Sequence, residues 1–272
     1  MGQTLAEKLL SEHAGKMLKA GEYAVVSVDL AYVQDGTGPL AVRQLDKMGV
    51  KKLANPERCV VFLDHASPSP RLELSNDHKL LREFCASTGA VLSDIGSGIS
   101  HTVANERWAS PGDVIVGADS HTCTNGAMCA FATGMGSTDV AVAMAYGRTW
   151  MRVPETYRIT VGGKWPKGVY GKDLILRFIG EVSAEGANYK SLEFYGEAIA
   201  GLSMAGRLAV SNMAVECGAK VGLIPPDETT RRHLEYLGRP GDYRDLEADP
   251  DAVYEKEFEY DAARFEPYVA CP

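Results

Sequence analysis

Residues 113–126 read DVIVGADSHTCTNG, in which a short apolar run ends in glycine, an aspartate, a serine and a histidine. The run at residues 113–116 is rich in β-branched side chains and too short for a helix, so it predicts a buried strand. Polar residues directly after such a strand lie at the carboxyl edge of a parallel sheet, where ligands gather. Asp119, Ser120 and His121 are therefore candidate site residues.

Strands and helices alternate on both sides of this stretch. Similar apolar runs occupy residues 23–30, 59–63 and 90–92, and helical patterns lie at 39–48, 76–88 and 137–146. A capping box formed by Thr4 and Glu7 predicts a first helix at residues 4–15. This alternation predicts an α/β fold in three α/β/α layers, with mainly parallel sheets covered by helices on both faces.

Pro154 interrupts the pattern and predicts a domain boundary between residues 153 and 154. The first domain, 1–153, would carry most of the site, and the second, 154–272, would be a further α/β domain. The segments predicted in the second domain are a strand at 157–161, helices at 172–182, 204–217 and 227–237, and an extended segment at 252–260.

Composition and charge narrow the class of protein. The 272 residues are 45% hydrophobic and 24% charged, as in ordinary globular proteins, and neither a membrane span nor a signal peptide is recognisable. We therefore expect a cytoplasmic protein. Residues 242–261 contain nine acids and two bases, which leaves only −1 of the net charge of −8 for the rest of the chain. No basic face for nucleic acid is predicted, and the acidic segment is interpreted as solvated surface.

Three other predicted strands also end in polar residues. Gln34 follows the first strand, Asp64 and His65 follow the second, and His101 comes shortly after the third. Because the carboxyl ends of parallel strands meet at one edge of a sheet, we expect these side chains to lie near Asp119.

Three chemistries remain open for this set. Imidazoles and carboxylates can bind a catalytic metal. They can also form acid–base pairs, with Asp64 orienting an imidazole and Glu193 reaching His101 from the second domain. Ser120 as a nucleophile has little support, because DSHT lacks the GxSxG context of an exposed catalytic serine.

The stretch GADSHTCTNGAMCAFATGMGSTDVAVAMAYG, residues 117–147, closely resembles the signature region of the aconitase superfamily, specifically the large subunits of 3-isopropylmalate dehydratase and homoaconitase. Further matching motifs, in the family's order, are FLDH at 62–65, SGISH at 97–101, PGD at 111–113, KDLIL at 172–176, LEFYG at 192–196 and SNMAVECGA at 211–219. The resemblance implies an enzyme that isomerises a hydroxy-dicarboxylic or tricarboxylic acid by removing and re-adding water. A [4Fe–4S] cluster would act as the Lewis acid.

The resemblance also implies a role for each candidate residue. His65 paired with Asp64 would assist protonation of the leaving hydroxyl, while Asp119 and His121 would bond the iron-bound water or hydroxyl. His101 with Glu193 would form a second acid–base pair. Gln34 and Ser120 would contact the substrate.

Two departures from the family pattern bear on function. Gln34 stands where we expect histidine in isopropylmalate dehydratases, and resembles aconitase itself. The family's cluster cysteines would lie beyond Pro272, since Cys123 belongs to the DSHT signature and the other five are dispersed. We therefore expect this chain to contain no metal ligands, to bind no cluster alone, and to resemble the first two of three large-subunit domains.

The expected function is thus that of a large subunit of an isopropylmalate dehydratase truncated at Pro272, inactive alone and partnered by a small subunit that carries a swivelling domain. The family's substrate-binding arginines would also lie outside this chain. Three alternatives remain: homoaconitase or another substituted-malate dehydratase, a cluster-less binding module, and a mononuclear metal site built from the histidines and aspartates.

Overall fold

The structure is a computed structural model and describes residues 2–271. Pro272, at which the predicted second domain ends, lies outside the described residues. The strands, in chain order, are β1 Tyr23–Ser27, β2 Leu30–Gln34, β3 Cys59–Phe62, β4 Val91–Ser93, β5 Val114–Gly117, β6 Phe131–Gly134, β7 Arg148–Arg152, β8 Thr156–Gly162, β9 Ser191–Tyr195, β10 Val221–Leu223 and β11 Lys256–Asp261. The α-helices are α1 Leu5–Ala14, α2 Gly38–Lys47, α3 Leu72–Thr88, α4 Ser100–Arg107, α5 Ser137–Tyr146, α6 Gly171–Val182, α7 Glu197–Ala200, α8 Met204–Asn212 and α9 Glu228–Tyr236.

The first half of the chain builds a five-stranded sheet in which every neighbouring pair is parallel. Its order is β4-β3-β2-β5-β6, so the connections after β2 run first towards one edge of the sheet and later towards the other. The point where they diverge lies between β2 and β5, and a crevice opens there beyond the carboxyl ends of the strands. Gln34 ends β2 and Gly117 ends β5, at the mouth of that crevice.

Helices cover this sheet on both faces. Ala31 and Val33 of β2 belong to one buried cluster with residues of α2, α3 and α5, whereas Leu30 and Tyr32 belong to a second cluster with residues of α4. Every residue of β2 is buried, as the central strand of such a sheet requires. The predicted α/β fold with parallel sheets is confirmed.

The first helix follows its sequence signals. The Thr4 side chain accepts from the Glu7 N–H, and the Glu7 carboxylate accepts from the Thr4 N–H, so two N–H groups that the helix leaves free are satisfied. Gly15 ends α1 in the left-handed conformation, with φ of 65°.

One predicted strand is wrong, because residues 23–30 do not form a single strand of the parallel sheet. β1 ends at Ser27 and pairs antiparallel with β7 in a separate two-stranded ribbon, and β2 starts at Leu30. Side chains of β1 alternate between exposed and buried, whereas those of β2 are all buried. The apolar run that starts at residue 23 therefore contains β1, which has one solvent-exposed face, and leads into β2, which is buried on both faces.

The second half of the chain builds a four-stranded sheet of order β10-β9-β8-β11, again with parallel pairs throughout. Its buried cluster includes Ile159 of β8, Phe194 of β9 and Phe178 of α6. The helix predicted at 204–217 ends earlier, at Asn212, and continues as the 3₁₀ helix Met213–Cys217.

Packing between the two sheets is continuous. Val221 and Leu223 of β10 belong to the same buried cluster as Ala31 and Val33 of the first sheet. The boundary between residues 153 and 154 does separate the strands of the two sheets along the chain. The division into two domains at that point stays a prediction.

The acidic segment 242–261 is tied to other parts of the chain by ion pairs. Arg244 pairs with Glu12 at 2.6 Å, and Asp249 pairs with Lys8 at 2.6 Å, so both contacts hold the segment against α1 and its surroundings. Between residues 2 and 271, no helix is both long enough and apolar enough to cross a membrane.

Candidate acid–base site

The turn after β5 brings Asp119, Ser120 and His121 to the crevice. Asp119 caps the 3₁₀ helix Ser120–Met128, and its carboxylate accepts from the His121 N–H at 2.8 Å. The chain packs so closely here that a Cβ on Gly117 would lie 2.2 Å from the Thr122 hydroxyl oxygen. Glycine is therefore required for the turn that presents the candidate residues.

Asp64 and His65 follow β3 and reach Asp119 across the crevice. His65 Nδ1 lies 2.9 Å from Asp64 Oδ1, and His65 Nε2 lies 3.2 Å from Asp119 Oδ2. The other Asp64 oxygen accepts from the Ser100 N–H at the start of α4, at 2.6 Å. The imidazole is thus held between two carboxylates, and each carboxylate is fixed by a helical N–H group.

His101 lies on α4 on the other side of Asp119, with its Nε2 3.6 Å from Asp119 Oδ1. Its ring packs edge-to-face against His65, with ring centroids 5.6 Å apart, and lies 5.7 Å from the ring of His121. Within residues 2–271, the buried Nδ1 of His101 has no hydrogen-bond partner. The nitrogen that faces Asp119 is therefore Nε2, and Nδ1 points into the protein.

The donor atoms of His65, His101 and Asp119 lie within 4.8 Å of one another. Such a set also suits the mononuclear-metal alternative. The contacts of Asp119 with His65 at 3.2 Å and with His101 at 3.6 Å already account for this spacing, so the geometry requires no ion.

His121 joins the two halves of the molecule. Its Nε2 lies 3.0 Å from Glu216 Oε1, and its Nδ1 lies 3.1 Å from Ser120 Oγ. Glu216 belongs to the 3₁₀ helix Met213–Cys217 in the second half of the chain. This carboxylate was not among the predicted site residues, although it lies within the motif SNMAVECGA.

The two imidazoles beside Asp119 have opposite pKa shifts. Burial disfavours the charged form of His65, but the Asp64 hydrogen bond and the surrounding carboxylates outweigh it and raise the pKa. Burial lowers the pKa of His101 and outweighs the attraction of Asp119. His65 therefore favours the protonated form and His101 the neutral form.

The structure does not bring Glu193 to His101. The Glu193 carboxylate is fully buried and accepts from the Ala6 N–H at 3.1 Å and from the Tyr195 hydroxyl at 2.8 Å. Burial raises its pKa to about 7. The N-terminal N–H groups of α1 offer donors to this carboxylate, so Glu193 joins α1 to β9 away from the histidines.

A cavity of about 730 Å³ opens beside Asp119. Gln34 and Ser120 line it from the first half of the chain, and Tyr189 and Lys220 line it from the second half. Both residues predicted to contact substrate therefore face one cavity, together with the carboxylate predicted to take part in the chemistry.

Two basic side chains also line this cavity, although none was predicted there. The Arg152 guanidinium is paired with the Glu155 carboxylate, which neutralises its charge locally. The Lys220 ammonium lies 5.0 Å from the centre of the Tyr189 ring, and burial lowers the pKa of Lys220. Lys220 is thus a cation within this chain that an acidic substrate could meet.

The cysteines do not suit a [4Fe–4S] cluster. Five of the six are buried, and only Cys271 is exposed. Burial raises the thiol pKa of Cys59, Cys85 and Cys123 to about 12, which disfavours the thiolate form that binds iron. Among residues 2–271, the groupings of side chains that could share a metal contain histidine and aspartate but no cysteine.

The position of the family's cluster cysteines stays a prediction. These cysteines are expected beyond Pro272, and Pro272 itself lies outside the part of the chain that the structure describes. The burial of the thiols argues only against the cysteines that are described.

Comparison with known proteins agrees with the motifs. The chain is 54% identical to the 3-isopropylmalate dehydratase large subunit of Elusimicrobium minutum, 52% identical to large subunit 1 of Thermotoga maritima and 51% identical to large subunit 2 of Archaeoglobus fulgidus. Each match covers the whole chain and 65% of the relative's length. Residues 7–272 match the family described as the aconitase family (aconitate hydratase). The resemblance seen in the sequence is confirmed, and the chain belongs to the aconitase family.

Proposed function

We propose that this chain is the acid–base part of a hydro-lyase large subunit that interconverts 2-isopropylmalate and 3-isopropylmalate, a step of leucine biosynthesis. The names of its relatives support the substrate. The observation that carries the chemistry is the pair His65 and His101, two adjacent imidazoles whose pKa values are shifted in opposite directions. Titratable neighbours with opposed shifts provide one acid and one base.

His65 is the proton donor of this proposal. Dehydration breaks a C–O bond and the C–H bond on the neighbouring carbon. The departing hydroxide takes a proton from an acid to leave as water, and the carbon-bound proton passes to a base in the part of the site that the small subunit completes. The raised pKa of His65 keeps a proton on the ring, and the bond to Asp64 fixes the ring's orientation. After the proton has left, the carboxylates of Asp64 and Asp119 favour its return from a new water, which prepares the reverse addition.

His101 and His121 serve the opposite direction. The neutral ring of His101 can accept a proton from water during re-addition at Nε2, the nitrogen that faces Asp119. Glu216 holds the ring of His121 from the second half of the chain, so both halves contribute to the orientation of the site. Rehydration at the neighbouring carbon then gives the isomer.

The cavity suits a small hydroxy-dicarboxylic acid. Gln34 and Ser120 offer hydrogen-bonding groups at one wall, and Lys220 offers a positive charge at the other. A carboxylate near Lys220 would be attracted by that charge, and a hydroxyl near Ser120 would lie beside Asp119.

The complete enzyme would contain parts that this chain does not supply. Because its described cysteines do not suit the cluster, we propose that other parts of the complete enzyme hold it, and no step above depends on it. A small subunit completes the site, and the chain is inactive without it. The division into domains 1–153 and 154–272 and a cytoplasmic location also belong to this proposal.

The first test is the iron and acid-labile sulfide content of this chain after anaerobic reconstitution. We expect almost none of either. Roughly four irons and four sulfides per chain would place the cluster on these cysteines and contradict the assignment of the cluster to other parts of the enzyme.

The second test supplies what is missing. The chain is produced with the unmatched third of a relative's large subunit and that relative's small subunit, loaded with iron and sulfide, and assayed with 2-isopropylmalate. We expect 3-isopropylmalate to form. Turnover of a homologous tricarboxylic acid instead would favour homoaconitase, and no turnover by a fully loaded complex would favour the binding module.

A further inference from the structure

We propose that Asp35 and His78 form a buried positioning pair that fixes the loop carrying His65. The loop comprises residues 64–71, between β3 and α3, and is called the His65 loop below. Its importance for turnover rests on the proposed function, whereas its positioning can be tested without any assay of activity.

The His65 loop has little hydrogen bonding of its own. Pro68 and Pro70 have no N–H group, and among the described residues no N–H between 64 and 71 donates to a backbone carbonyl. A segment whose N–H groups make no such bonds needs other anchors to hold one conformation. The ring of His65 must nevertheless stay between two carboxylates to act as an acid.

Asp35 supplies the anchor. It directly follows β2 and is fully buried, and its Oδ1 accepts from the His65 N–H at 3.1 Å. Its Oδ2 accepts from the Ala66 N–H at 2.9 Å. Both bonds are charge-assisted and reach the backbone on either side of the His65 α-carbon, so they fix the point from which the imidazole extends.

His78 completes the pair from the far end of the loop. It lies on α3, only 2% exposed, and its Nε2 is 3.1 Å from Asp35 Oδ2. Asp35 therefore joins β2, the start of the His65 loop and the helix that follows the loop. A buried carboxylate with three N–H donors is satisfied only while all three elements keep their places.

A matched pair elsewhere provides the control. Asp29 directly precedes β2 and accepts from His13 Nε2 at 2.7 Å and from the Val114 N–H at 2.7 Å. Both partners lie in regular elements, α1 and β5, rather than in the His65 loop. The two aspartates thus lie at opposite ends of the same strand, and each accepts hydrogen bonds from a histidine and from one or more backbone N–H groups.

The experiment compares Asp35→Asn with Asp29→Asn in the 272-residue chain by NMR. Asparagine has one acceptor oxygen where Asp35 uses two, so at least one N–H donor must face an NH₂ group. We expect hydrogen exchange of the His65 and Ala66 amides to accelerate about tenfold or more in Asp35→Asn, with weaker contacts between the His65 and His101 rings. Asp29→Asn should leave these signals unchanged.

A second pair of variants covers the case in which Asp35→Asn does not fold. His78→Gln keeps an N–H donor of similar reach, whereas His78→Leu removes it, so Gln should preserve and Leu should reduce the protection of the two amides. Equal protection in His78→Gln and His78→Leu, or equal loss in Asp35→Asn and Asp29→Asn, would overturn the proposal. In the assembled enzyme, Asp35→Asn should lower kcat more than it changes KM. If the assembled enzyme did not act on isopropylmalate, the proposed function would be wrong. The NMR result would still test whether Asp35 and His78 fix the His65 loop.

Discussion

Each end of β2 is flanked by an aspartate that contacts a histidine, but the two pairs have different surroundings. At the amino end, Asp29 joins His13 of α1 to the first residue of β5, which are parts of regular elements. At the carboxyl end, Asp35 joins His78 to a loop whose own described N–H groups donate to no backbone carbonyl. The Asp29 side chain is 35% exposed, while that of Asp35 is 0% exposed. Both pairs make the same aspartate–histidine contact. The Asp35 pair can support the site because it lies at the carboxyl end of the strand, whereas the Asp29 pair at the amino end is structural.

The largest effect is expected at Asp119, which contacts both His65 and His101. In the assembled enzyme, Asp119→Asn should lower kcat by about 10² to 10⁴, because the acid loses the carboxylate that holds its proton and its position. Steady-state turnover and thermal unfolding measured together check this. If Asp29→Asn lowered kcat as much as Asp119→Asn does, the distinction between the two ends of β2 would be wrong.

Glu216 and Glu193 form the next contrast. Glu216→Gln should lower kcat roughly ten- to hundredfold, because the His121 ring loses its charged partner across the two halves. Glu193→Gln should change turnover far less, since its carboxylate contacts α1 and Tyr195 rather than a histidine. A reversed order in the measured kcat values would restore the pairing of Glu193 with His101.

Glu193 also predicts how stability depends on pH. Its pKa is about 7 in the folded chain, against an ordinary value of 4.5, so the folded state binds the extra proton. Stability should therefore fall as pH rises from about 4.5 to about 7, by about 3 kcal/mol from this group. Urea unfolding at several pH values tests this, and Glu193→Gln should flatten the slope across that window.

The smallest effect concerns the amino end of β2. Burial opposes the charged form of His13, but its bond to Asp29 outweighs this and raises the pKa. The pair therefore stabilises the fold below the ordinary histidine pKa of about 6.5, and this contribution is lost as pH rises through the folded value. His13→Gln should cost about 1 kcal/mol at pH 6 and less at pH 8, with the His65 loop unaffected. Stability measurements at the two pH values check the difference.

Much of the first half of the chain could be predicted because its signals are local. The capping box of Thr4 and the apolar run before Gly117 determine an element without reference to distant residues. β6 was missed because its sequence, FATG, is short and lies in a run of small residues. The split between β1 and β2 depends on which face each strand buries, and only the tertiary structure decides that.

The site shows the same limit. Convergence of Asp64, His65 and Asp119 follows from the rule that parallel strands end at one edge. The contact between His121 and Glu216 depends instead on how the second half of the chain packs against the first. Glu193 was chosen over Glu216 for the same reason, since both carboxylates lie in motifs of the second half.

The burial of all but one thiol has a practical consequence for studying assembly. A maleimide fluorophore or nitroxide should react at Cys271 without any cysteine being removed, because the other five are enclosed by the core. Energy transfer from that dye to a labelled copy of the proposed small subunit would then test association and measure its kinetics and affinity, independently of catalysis.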